Sequence, residues 1–105
     1  MITVMLAALF VQSAAINSQR DGFIACLDRA AAEAKALKIT PEAIEPHLRS
    51  TCAASQASFE GSLIAFDVKN KVGRKQAAAD AKLQIDDFVS SSVERYKKQR
   101  AGERG

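Results

Sequence analysis

Two rhythms of apolar residues divide the chain. Ile2 to Val11 is an apolar run, and no charged side chain occurs before residue 16. From Phe23 onward apolar residues return at every third or fourth position, the spacing that gathers them on one face of a helix. Phe23, Leu27, Ala30, Ala34 and Leu37 predict a helix over about 19–38, opened by Ser18 and Asp21 at the spacing of a capping box. Thr40-Pro41 predicts the next start, with a hydroxyl able to cap and a proline tolerated in the first turn. Ile44, Leu48, Cys52, Ser55, Phe59, Leu63 and Phe66 then form one stripe through a second helix over 41–69. Pro46 lacks a backbone donor, so the first turn of that helix is distorted or the regular helix starts beside it. Asn70 to Gly73 read as a turn. Ala78, Ala81, Ile85, Phe88, Ser92 and Tyr96 predict a third helix over 74–100, followed by a frayed basic tail containing Gly102 and Gly105.

Short connections between three long amphipathic segments favour an all-α fold, an antiparallel bundle running up, down and up. The turns fix a register. With the first turn centred near residue 39, Cys26 lies 13 residues before it and Cys52 lies 13 after it, at one height on facing helices. Ala30 faces Leu48 by the same count. About the second turn, Phe59 faces Ile85, Leu63 faces Ala81 and Leu48 faces Tyr96. The absence of tryptophan, the single tyrosine and the abundance of alanine agree with closely packed helices rather than sheets.

At 105 residues the chain is at most one domain, small enough for a covalent staple to matter. The uncharged leader has the length of a signal-peptide core and is too short to span a bilayer. A cut after Ala15 sets Ser13 and Ala15 at the two positions where small residues are needed. The expected organisation is a signal peptide over 1–15 and one helical domain over 16–105, periplasmic or secreted, with no stable membrane span after cleavage. No Lys or Arg precedes the apolar run, and the competing reading is that residues 2–15 begin a core helix. Arg20 and Asp21 separate Phe23-Ile24-Ala25-Cys26 from the leader, which argues against a lipid anchor. In an oxidising compartment Cys26 and Cys52 form a disulfide between the first two helices, and in the cytosol they stay free buried thiols. Their spacing suits neither a zinc site nor a redox Cys-x-x-Cys pair.

The formal charge of +3 is unevenly placed. Lys69, Lys71, Arg74 and Lys75 contribute +4 with no acid among them, and residues 95–104 contribute another +4, leaving −5 elsewhere. Arg74 and Lys75 stand where the helix dipole disfavours cations, so the turn 69–75 is a candidate anion site, its alternative being a solvated turn. The C-terminal cluster is favourable to its helix end and lies near Glu42 and Glu45 in the bundle. Clusters at opposite ends make no continuous nucleic-acid face, and no nucleic-acid partner is expected. His47 is the only histidine, and it is two residues from Glu45 on a different helix face, which reads as a solvated side chain. Asp86 and Asp87 diverge rather than converge, and Gly73 lacks the glycines of a phosphate loop. We expect no enzyme, no catalytic residues, no metal ligands and no cofactor.

Cys26-Leu27, Cys52, Ala65-Phe66-Asp67-Val68, Ala77-Ala78-Ala79-Asp80 and Ile85-Asp86-Asp87-Phe88 together resemble an uncharacterised group of small exported proteins from alphaproteobacteria. The likeness covers most of residues 23–96 and implies export and a helical fold, with no activity and no functional residues attached. The functional expectation is a non-catalytic binding or interaction module of the cell envelope, chaperone-like in the sense of holding unfolded clients on exposed apolar faces. Its partner is an unidentified protein or envelope component. The alternative expectation is an anion-binding envelope protein using the turn 69–75.

Overall fold

The computed structural model describes residues 2–104, and describes side chains for residues 14–102. Among the described residues the chain is all-helical, with four α-helices: α1 (Ile2–Ala36), α2 (Ile44–Thr51), α3 (Ala53–Lys69) and α4 (Arg74–Arg104). A 3₁₀ turn, Pro41–Ala43, precedes α2. The predicted second helix is therefore two. It breaks at Cys52, whose backbone angles of −105° and 21° leave the helical region. The interruption is confined to one residue, because Cys52 N–H still donates to the Leu48 carbonyl and Gln56 N–H to that of Cys52. Pro46 stands at the third position of α2, where its missing N–H has no intrahelical partner to lose.

Helix ends differ from their sequence signals in instructive ways. Ser18 opens no helix, because α1 runs unbroken through it from Ile2, and the capping-box reading is overturned. Nothing in residues 16–20 breaks a helix, and a started helix propagates more easily than a new one nucleates. Thr40 precedes the 3₁₀ turn but makes no side-chain cap bond. Helix α1 stops at Ala36, and Lys38 adopts a left-handed φ of 59°. Ile39 N–H then donates back to Ala34, which satisfies the last carbonyls and turns Ile39 inward. Leu37, predicted on the core stripe, is thrown outward and is 61% exposed. Helix α3 closes in the same way, with Lys71 at φ 70° and Val72 N–H donating to Asp67. Helix α4 continues to Arg104 instead of fraying near 100, its terminal cations favoured by the dipole. Gly105 lies outside the described residues.

One core joins these elements. Phe23, Leu27, Ile44, Leu48, Phe59, Ile85, Val89 and Tyr96 are its largest members, all nearly inaccessible. The rings of Phe23 and Phe59 lie 5.9 Å apart, and Phe88 meets both edge-on at 6.3 and 5.8 Å. Phe59 thus packs on α4 within one turn of the Ile85 expected opposite it. Helix α4 buries a wider stripe than its spacing suggested, including Ala77, Val89 and Val93, while the predicted Ala78 faces solvent. The cause is that α4 packs against α1, α2 and α3 together. Phe23 touches Phe88 and Asp28 pairs with Arg95 at 3.7 Å, so α1 and α4 run in the same direction. Tyr96 closes the far end by donating its hydroxyl to the Ile39 carbonyl at 2.5 Å.

Candidate functional site

The cysteines come together as their register predicted. Cys26 and Cys52 form a disulfide across 5.9 Å between Cα atoms, tying α1 to the junction of α2 and α3. Cys52 is buried at 1% exposure and Cys26 is half-buried, so the bridge faces inward and is a structural tie. Nearer the start of α1, Arg20 lies over the Phe59 ring of α3, 5.9 Å from its centre. A disulfide points to an environment outside the reducing cytoplasm. No helix of the described residues is long and apolar enough to cross a membrane. The side chains of Ile2 to Ser13, on which the leader reading rests, lie outside those described; Ala15 is exposed and Ile16 is buried.

A groove follows the seam between α1 and α4, where the two helices touch sparsely while α3 packs closely on both. Three hollows adjoin there, two of them in the seam itself. The first, about 290 Å³, lies on the α4 surface at the mouth of the seam, lined by Gln84, Asp87, Phe88 and Ser91. The second, about 230 Å³, shares Phe88 and Ser91 and adds the apolar Ile24 and Leu27. The third, about 380 Å³, shares Ser92 and Arg95 with the second and extends past Ala31 and Tyr96 to Gln99. From Phe88 to Gln99 the groove is roughly 17 Å long at 1.5 Å per residue, about three helical turns. Its near end is apolar and its far end is charged by Asp28, Lys35 and Arg95. Arg95 also donates to Ser92 at 3.2 Å. Its pair with Asp28 spans the seam, and both partners are well exposed, so opening it costs little.

The four cations of the predicted anion site gather at the opposite end. Lys69 ends α3, Lys71 sits in the left-handed position of the turn, and Arg74 and Lys75 begin α4, all of them exposed. Lys69 also lines an apolar hollow of about 300 Å³ with Ala15, Ile16, Ser62, Ala65 and Phe66.

Asp86, Lys82 and Arg49 are engaged structurally. Asp86 accepts from Lys82 at 2.8 Å and from Arg49 at 3.0 Å. Those two bonds, Lys82 first, hold its carboxyl below the ordinary carboxylate range. Arg49 also reaches Glu45 at 3.2 Å, so the network fastens α2 to α4. Asp87 diverges from Asp86 and lines the hollow on the α4 surface instead. His47, expected in solvent, is half-buried with its Nε2 enclosed and without a hydrogen-bond partner. Among the described residues no three His, Cys, Asp or Glu side chains gather as a metal site. The groove escaped the sequence reading because it depends on the gap between α1 and α4, which no periodicity encodes; the half-buried Phe88 in the α4 stripe was its one legible sign.

No protein-family model, curated protein or solved structure matches this chain.

Proposed function

We propose that this protein is a small exported, non-catalytic binding module of the cell envelope. It takes amphipathic segments of client proteins into the α1–α4 groove, much as a holdase does, on an antiparallel bundle whose second arm is α2 and α3. The observation that carries the reading is the continuity of two hollows between α1 and α4 over about three helical turns, apolar at one end and charged at the other. That length and patterning suit a helical segment with apolar residues on one face. The exposed Asp28–Arg95 pair supplies charges that can exchange partners as a segment enters. The groove is shallow and carries no convergent nucleophile and base, which favours holding over chemistry. In this reading the leader is removed after Ala15 and the mature chain is periplasmic or secreted, in keeping with the resemblance of residues 23–96 to a group of small exported proteins.

A blocked groove tests it. Ser91 is exposed and borders two hollows, and Ser90 is exposed beside it without lining either. Ser91→Trp is expected to abolish suppression of client aggregation and crosslinking to envelope proteins, while Ser90→Trp retains both. Equal behaviour of the two variants removes the groove from the function. Export is tested separately by N-terminal sequencing of mature protein, which is expected to begin at Ile16; a mature chain beginning at Met1 refutes cleavage.

A further inference from the structure

The hollow lined by Ala15, Ile16, Phe66 and Lys69 places the end of the leader against the last turn of α3. Helix α1 runs opposite to α3, as the pairing of Cys26 with Cys52 and of Phe23 with Phe59 requires. Its remaining turns, back to Ile2 in the same unbroken helix, therefore continue from the end of α3 toward the side of the turn at residues 70–73. Those turns extend roughly 20 Å at 1.5 Å per residue. They carry no charged side chain in sequence, whereas the turn beside them presents Lys69, Lys71, Arg74 and Lys75 to solvent. Asp67 precedes these cations in α3 and Asp80 follows them in α4, where it accepts from Gln76, so the stretch 69–75 itself holds no acid. As a sequence, the leader lacks a basic flank. The fold supplies one from more than fifty residues away.

We propose that this end of the full chain docks on anionic bilayers. The leader helix enters the boundary between headgroups and acyl chains, and Lys69, Lys71, Arg74 and Lys75 lie against the lipid phosphates. Too short to span, an uncharged apolar helix beside a cluster of cations has the two attractions that interfacial binding combines, apolar burial and electrostatic pull. The inference concerns the chain before any cut after Ala15; afterwards only the electrostatic part remains. It is independent of the α1–α4 groove.

Flotation of the purified full chain with vesicles of phosphatidylcholine, and of phosphatidylcholine mixed with phosphatidylglycerol, tests it. Binding to the mixed vesicles is expected to be stronger and to weaken with salt. Each cation near an anionic surface strengthens partitioning about fivefold. Lys69→Gln with Lys71→Gln is therefore expected to weaken it at least about tenfold. Lys97→Gln with Lys98→Gln, at the opposite end of α4, leaves it unchanged, and Phe10→Asp weakens binding to both vesicle types. Circular dichroism confirms that each variant keeps its helix content. Equal partitioning into the two vesicle types, or equal losses in the two lysine pairs, overturns the proposal. Amide shifts at the turn on adding inorganic phosphate, without vesicle binding, also overturn it, reassigning the cations to free anions. Self-association that Phe10→Asp abolishes, without vesicle binding, assigns this end to a second copy.

Discussion

Replacing Cys26 and Cys52 together by alanine removes the only covalent tie the chain can make, since it has no other cysteine. The bridge closes a loop with a sequence separation of 26. On the chain-entropy model a loop of that size destabilises the unfolded state by about 3.5 kcal/mol at 25 °C. Truncation adds a smaller loss at Cys52, buried against the core, and little at half-buried Cys26. A domain of this size has about 5–15 kcal/mol of stability, so the bridge supplies a large share of it. At about 4–8 °C per kcal/mol, the melting temperature is expected to fall by roughly 14–28 °C. Far-ultraviolet circular dichroism measures that fall, and intact mass under non-reducing conditions establishes that the parent is two hydrogens lighter than its reduced form. Reduction of the parent should bring its melting point close to that of the double variant. A fall below about 5 °C would refute the reasoning, because it corresponds to roughly 1 kcal/mol or less. The core contact of Phe23 with Phe59 would then hold α1 to α3 unaided, and the bridge would restrict little that the unfolded chain explores.

Three further outcomes are expected. Tyr96→Phe removes the bond to the Ile39 carbonyl and leaves that acceptor unpaired, lowering stability by about 1–2 kcal/mol; a denaturant midpoint that shifts at unchanged slope checks it. Lys38→Gly relieves a left-handed residue at the end of α1 and should stabilise by about 0.5–1 kcal/mol, read as a raised melting temperature. Asp86, held low by Lys82 and Arg49, contributes stability that is present above about pH 4 and lost as pH falls through its depressed folded value. Asp86→Asn should therefore be less stable than the parent at neutral pH and converge with it in denaturant melts as pH falls through the depressed folded value; a constant gap between the two at all pH values contradicts the assignment.

The sequence by itself determined the helical class, most of the core and the cysteine pairing. Spacing of three and four residues specifies a helical face without reference to any neighbour, and a short turn between opposed helices makes positions equidistant from it meet. Cys26 and Cys52 satisfy that condition about residue 39. Tertiary structure alone decided the rest. The helix breaks at Cys52 without a glycine or proline to signal it, at the residue tied to α1. Leu37 continues the apolar period yet faces solvent, because satisfying the last carbonyls of α1 requires Lys38 to turn left-handed and sends Ile39 inward instead. Ser18 carries a start signal that the passing helix overrides. The α1–α4 groove and the basic turn beside the leader arise from how far apart helices sit and where their ends fall in space. Both quantities emerge only when side chains of different helices compete for one core, and no stretch of sequence records them locally.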